Sequence, residues 1–306
     1  MSAKRSIDRA SAKWIIRGAV GVLAIVAVVL AVLALQRVAG ADVPEKTAAP
    51  APPAEATPSE TISPTPVPSP TTAPLYDRSQ ERFLAVGNGA MWRGVAGRCG
   101  EVEPLLERSV DDGETWADVT PRYLEIGSLS AVSAFAGTEG EIIASMGVEC
   151  EVQALRTFTQ GQFWESYPDV LAASQYVDPA DAAGIVAADT PVAAPCDDAR
   201  SLRSAGGVTA LVCAGVAYFL GEDAAWQLLP TDAVTALTVA EGTVVVAHVT
   251  PECAGLTLSR YATEADAAAE ELGCLEGLNS AAPTALSVTN DSVFAWSGDE
   301  MKSFLL

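Results

Sequence analysis

Three observations predict the architecture of this 306-residue chain: short strands punctuated by Gly, Pro and Asp turns, a strand order that recurs with cysteines and tryptophans at matching places, and an apolar leader that gives way to a proline-rich stretch. They predict an all-β protein. Its folded part reads as a β-propeller of about five four-stranded blades, preceded by one transmembrane helix and a Pro-rich stalk.

The leader comes first. Lys4, Arg5, Arg9, Lys13 and Arg17 precede an uncharged apolar run over residues 18–35. Eighteen helical residues cover about 27 Å, and adding Trp14, Ile15 and Ile16 with Arg17 snorkelling brings the span to about 33 Å, enough for a hydrocarbon core of about 30 Å. Residues 14–36 are therefore read as a signal-anchor helix, residues 1–13 as cytoplasmic, and the remainder as extracytoplasmic in a single-pass cell-membrane topology. A cleavable signal peptide, cut near Val38-Ala39-Gly40, is the competing reading, although the apolar run exceeds the usual length of about 7–15 residues. Residues 37–74 carry ten prolines from Pro44 to Pro74 among Ala, Ser and Thr. Such composition packs no core and favours polyproline II, a semi-rigid stalk of up to about 100 Å. It is either an inert spacer or a site of O-glycosylation at hydroxyls such as Thr57, Ser63 and Thr71.

Charge separates the two sides. Twelve basic and thirty-eight acidic residues follow Arg37, a net charge of −26. An acidic exterior excludes nucleic acid as a partner and docking on anionic lipid by charge, since both need a basic surface. Lys302 is the only lysine after the stalk, a composition resembling that of a high-GC bacterium and fitting a bacterial cell surface.

Residues 75–306 hold the repeats. The first unit runs 82–86, 90–95, 104–108 and 116–119, and the second runs 129–135, 141–148, 152–158 and 163–164. The third, 183–187, 208–213, 216–220 and 226–228, contains an insertion over 189–206. A fourth runs 234–239, 243–249 and 256–261, with a helix-prone Ala- and Glu-rich segment at 263–272. The fifth has three strands, 284–288, 292–296 and 301–306, and residues 74–77 are placed to supply a fourth that closes the ring. A β-sandwich is the alternative architecture.

One stretch dictates its own local shape: Ser109-Val110-Asp111-Asp112-Gly113-Glu114-Thr115-Trp116. Ser109 and Asp111 can accept backbone N–H groups, Gly113 can take positive φ, and Thr115-Trp116 restarts a strand with an anchoring ring. The octet resembles the Asp-box, or BNR repeat, Ser/Thr-x-Asp-x-Gly-x-Thr-Trp. The resemblance implies a turn between the third and fourth strands of a propeller blade, as in sialidases, sortilin-type receptors and photosystem assembly factors. It reports fold and not activity. Residues 159–164 form a degenerate second copy in which Thr159 replaces the Asp.

Cys99, Cys150, Cys213 and Cys253 fall in the turn between the second and third strands of successive units. Six cysteines outside the membrane allow fifteen pairings, and repeat equivalence suggests Cys99 with Cys150, Cys196 with Cys213, and Cys253 with Cys274. A zinc site is the rival, but the sequence offers no Cys-x-x-Cys pair and one histidine.

Acids crowd these same turns: Glu101, Glu103, Glu149, Glu151, Asp197, Asp198 and Glu252. They are either solvated loop charge or an acidic rim that binds a basic partner surface or a hard cation such as Ca²⁺. No metal ligand set and no other cofactor is indicated. No catalytic constellation can be assembled either, since His248 lies inside an apolar strand and the sequence carries neither Gly-x-Ser-x-Gly nor a phosphate-cradling loop. The sialidase resemblance implies an arginine cluster and a Tyr–Glu pair, yet no motif places Arg93, Arg98, Arg122 or Tyr123 in them. Trp92, Trp116, Trp164 and Trp226 recur with the repeat and read as packing between blades. The expected function is a membrane-anchored, non-enzymatic binding module for a protein, glycan or cell-envelope component. The alternative is a degenerate sialidase-like glycoside hydrolase.

Overall fold

Runs such as Val244-Val245-Val246-Ala247 are apolar at every position, a pattern that suits a strand covered on both faces. In the computed structural model these four residues are buried consecutively, because each sheet is sandwiched between two others. The structure describes residues 76–306 apart from residues 88, 136–137, 188–189, 222–223 and 264–267. The predicted anchor helix over 14–36 and stalk over 37–74 lie outside the described residues. Among the described residues no helix is long and apolar enough to cross a membrane.

The strands form six antiparallel sheets. Blade I holds β1 (Arg82–Gly87), β2 (Ala90–Val95), β3 (Leu105–Ser109) and β4 (Ala117–Asp118), and blade II holds β5 (Ile126–Phe135), β6 (Glu139–Met146), β7 (Glu151–Thr157) and β8 (Glu165–Ser166). A short helix α1 (Pro168–Ala173) leads to blade III, β9 (Gln175–Val177), β10 (Gly184–Ala187) and β11 (Thr190–Ala193). Blade IV contains β12 (Ala199–Ala205), β13 (Val208–Cys213), β14 (Val216–Leu220) and β15 (Trp226–Leu228). Blade V contains β16 (Val234–Ala240), β17 (Thr243–His248), β18 (Gly255–Ala262) and β19 (Glu270–Glu276), and blade VI contains β20 (Thr284–Val288), β21 (Ser292–Ser297) and β22 (Glu300–Leu305). The first strands of successive sheets pack on one another, and β1 packs on β20. The ring is closed.

Each seam between blades has its own apolar cluster. Phe83, Trp92 and Leu106 meet Leu129, Leu155 and Trp164 between blades I and II, with Trp92 and Trp164 edge to face at 5.9 Å. Leu237, Val246 and Tyr261 meet Phe219 and Leu229 at the next-but-two seam, and Leu256 and Leu258 meet Leu286 and Val293 beyond it. Each fully buried Leu contributes about 1.5–3 kcal/mol. The outermost strands β4 and β8 are two residues long and exposed, too short to template pairing with another chain.

Three expectations are corrected here. The propeller has six blades and not five, because the third repeat unit merged two sheets: the supposed insertion over 189–206 contains β11 and β12. β9 to β11 are three or four residues long, and β12 carries Arg200, Arg203 and a bulge, so neither sheet shows a clean apolar period. The helix-prone segment at 263–272 overlaps β19, a strand paired with β18, since cross-strand pairing overrides Ala and Glu propensity. Blade VI remains three-stranded among the described residues. Tyr76 and Asp77 run into a single 3₁₀ turn, Arg78–Gln80, capped by the Asp77 carboxylate on Ser79 N–H. The seam with blade I is held by stacked cations: Arg82 lies 4.0 Å over the Trp296 ring, and Arg93 lies 4.2 Å from Trp116 and 4.8 Å from Trp296 while bonding Glu107 at 2.7 Å.

The octet closes β3 onto β4. Ser109 Oγ accepts Gly113 N–H at 2.9 Å, Asp111 Oδ1 accepts Thr115 N–H at 2.9 Å, and Trp116 Nε1–H donates to Gly113 O at 3.0 Å. Gly113 has φ +88°. Blade II repeats the arrangement with hydroxyls: Thr157 Oγ1 accepts Gly161 N–H at 2.9 Å, Thr159 Oγ1 accepts Phe163 N–H at 2.8 Å, and Trp164 donates to Gly161 O at 3.1 Å.

Candidate functional site

In an antiparallel blade alternate turns leave at alternate ends, so the octet turn and the cysteine turns occupy opposite faces of the ring. The cysteine face is stapled. Cys99–Cys150 joins blades I and II, Cys196–Cys213 ties the segment before β12 to the end of β13, and Cys253–Cys274 lies within blade V, the three pairs expected from the repeat. Gly127, at the start of β5, has room for no side chain, because a Cβ there would stand 2.6 Å from Cys99 Sγ.

Blade III departs from its neighbours in one respect. β5 and β12 begin at the cysteine face, whereas β9 ends there: Ala182, in the loop after β9, accepts the N–H of Ala199 at the start of β12, and Gln175, where β9 begins, accepts the Thr209 hydroxyl near the far end of blade IV. β9 to β11 therefore correspond to the second, third and fourth strands of a complete blade. The inner strand is missing. Where it would lie, between β5 and β12, a cavity of about 390 Å³ opens on the cysteine face, within the range of about 300–1,000 Å³ typical of small-ligand pockets.

Blades I to IV supply its wall. Phe83, Leu129, Val177 and Leu202 give the apolar part, and Arg78, Glu81, Arg98, Ser128, Ser145 and Glu149 the polar part. Glu81 is 5% exposed, and its Oε1 accepts the backbone N–H of Ser201 at 2.7 Å. Arg78 donates to Asp198 at 3.3 Å and to Ala199 O, and Arg98 bonds Asp77 at 2.8 Å and Glu101 at 3.1 Å. Hydrogen bonds from the Ser79 hydroxyl and N–H, with help from Arg98, hold the Asp77 carboxyl down at about 2. Burial, reinforced by the Glu81 charge, pushes the Tyr76 phenol up to about 12. Ser128 and Ser145, 7% and 0% exposed, have no hydrogen-bond partner for their hydroxyls among the described residues.

The predicted acidic rim is divided by this geometry. Glu149 lines the cavity, and Glu101 and Asp198 neutralise arginines in its wall, Asp198 also bonding Arg200 at 2.7 Å. Asp197 faces a smaller cavity beside Tyr76, Glu103 stands 4.0 Å from Arg122, Glu151 is the exposed first residue of β7, and Glu252 is exposed in blade V. Among the described residues no three His, Cys, Asp or Glu side chains are grouped to hold a metal ion, so the geometry gives the Ca²⁺ expectation no support. His248 faces Ser259, its Nε2 2.9 Å from the hydroxyl, and burial pulls its pKa down. Sequence reading missed Arg78, Glu81, Ser128 and Ser145. Arg78 and Glu81 precede β1, Ser128 lies on β5 and Ser145 on β6, so no local pattern marked them as a group.

Fold and site together define a six-bladed β-propeller with a ligand-sized cavity formed by omission of one inner strand. No family model matches the chain, and no curated protein matches it in sequence. Among solved structures the chain is similar to YCF48 bound to a D1 peptide, at 14% identity and a TM-score of 0.42 over 73% of this chain and 76% of that one. It is also similar to PorZ, a bacterial surface component of the type-IX secretion system of Porphyromonas gingivalis, at 10% identity and a TM-score of 0.39, over 77% of this chain and 34% of PorZ. A Hadza microbial sialidase, Hz136, is similar at 12% identity and a TM-score of 0.33, over 70% of this chain and 49% of that one.

Proposed function

We propose that this chain is a membrane-tethered, extracytoplasmic β-propeller that acts as a non-enzymatic binding module, presenting its cysteine face to a protein, glycan or cell-envelope component. The cavity beside blade III carries the reading, since it gathers charged groups of blade I and buried hydroxyls of blade II against apolar residues of blades III and IV at one open end. Three disulfides suit an oxidising compartment, as do the basic flank and apolar run of residues 4–35. We take the octet 109–116 as an Asp-box, a scaffold turn on the face away from the cavity; its position between third and fourth strands and its side-chain bonds support this.

The test uses the full chain in detergent micelles, offered isolated envelope fractions beside a Ser130→Trp variant that fills the cavity mouth. Lost capture with unchanged thermal unfolding supports the reading. Unchanged capture removes the cavity from it. Protease added to wall-stripped intact cells tests the topology, and survival of the domain until lysis would reverse the orientation.

A glycoside hydrolase remains the second reading, because two carboxylates, Glu81 and Glu149, share the cavity wall. Glu81 is already engaged by Ser201 N–H and stands 3.9 Å from Arg78. Release of a chromogenic aglycone, abolished by Glu149→Gln, would favour hydrolysis.

A further inference from the structure

We propose that the cavity takes one sugar residue that is neutral or carries a free amino group, and discriminates against anionic sugars. The proposal rests on the reading that the cavity is the binding site, and adds the class of ligand.

Two observations carry it. The first is the pair of hydroxyls on Ser128 and Ser145, both more than nine-tenths buried, both in the cavity wall and both without partners among the described residues. A buried hydroxyl without a partner is destabilising, and a ligand rich in groups that both donate and accept would relieve it. Sugar hydroxyls do both, and the C–H faces of a sugar ring suit the apolar part of the wall at Phe83, Leu129 and Val177.

The second is the allocation of charge. An anionic sugar would need an arginine whose charge is unopposed, yet Arg78 faces Asp198 and Glu81, and Arg98 faces Asp77 and Glu101. Glu149 lines the same cavity and has no ion pair or hydrogen bond among the described residues. It is the uncompensated charge of the wall, and it is negative. The field of the acidic exterior adds to it. A protonated amine on the ligand answers Glu149, while a ligand carboxylate would be repelled.

Ligand-observed NMR titration of the full chain in detergent micelles tests this with three probes on one ring: glucosamine, N-acetylglucosamine and glucuronate. Saturable binding of glucosamine and N-acetylglucosamine is expected, with glucuronate weaker by about tenfold. Glu149→Gln should erase the preference of glucosamine over N-acetylglucosamine without altering the circular dichroism spectrum. Ser145→Val should weaken both by about fivefold; if that variant does not fold, Ser128→Ala makes the same measurement. Glucuronate binding as tightly as glucosamine, an unchanged preference in Glu149→Gln, or no binding of any probe would each overturn the proposal. In the last case, capture of envelope material that is still lost in Ser130→Trp would leave the binding-module reading standing with a ligand of another class.

Discussion

The carboxylate of Glu81 accepts the backbone N–H of Ser201 at 2.7 Å, joining the entry to blade I with the blade opposite it in a ring of six. Ser201 can offer that N–H because the bulge in β12, between Arg200 and Arg203, turns the strand locally and puts Ser201 at φ +50°. The bond spans 120 residues of sequence, and Glu81 lines the cavity.

Glu81→Ala leaves that buried N–H unsatisfied and is expected to destabilise the propeller by about 1–3 kcal/mol. Glu81→Gln keeps an acceptor and should lose less. Denaturant unfolding of the two variants decides the matter, and equal losses would mean that the bond to Ser201 contributes nothing.

The Cys99–Cys150 bridge closes a loop of 51 residues and is the one disulfide that crosses between blades I and II. Replacing both cysteines with alanine should lower stability by about 2–4 kcal/mol. Thiol labelling of the wild-type protein under denaturant and without reductant should find no reactive thiol, and two or more would break the assigned pairing.

Hydrogen bonds from the Thr115 hydroxyl, the Thr115 N–H and the Ser109 hydroxyl hold the Asp111 carboxyl at about 2. The unfolded chain titrates this group near 3.9, so its contribution is fully present above that value and is lost as pH falls toward 2. The melting-temperature gap between wild type and Asp111→Ala should therefore be open at neutral pH and closed near pH 2. A gap independent of pH would show that the charge is irrelevant to the turn.

Thr157 occupies in blade II the position of Ser109 in blade I, with its hydroxyl on Gly161 N–H and its side chain fully buried. Thr157→Val preserves volume and removes the acceptor. A loss of about 1–3 kcal/mol is expected in thermal or denaturant unfolding. A neutral substitution would show that Thr159 and the Trp164 anchor hold the second turn without it.

What the sequence determined by itself was whatever is written within a few residues or at a fixed period. The octet is legible because Ser109, Asp111 and Gly113 satisfy one another across four positions, and the disulfides because four cysteines recur at one turn of the repeat. The all-β reading follows from short apolar strands between turn residues. The tertiary structure alone decided the blade count and the cavity. Blade III is nearly silent in sequence, since β9 has three residues and an absent inner strand leaves no pattern to read. Arg78, Glu81, Ser128 and Ser145 come from separate strands and turns, each unremarkable in its own segment. They share one cavity because the ring closes β1 and β12 toward each other while β9 runs the other way, a relation among distant strands that no local periodicity encodes.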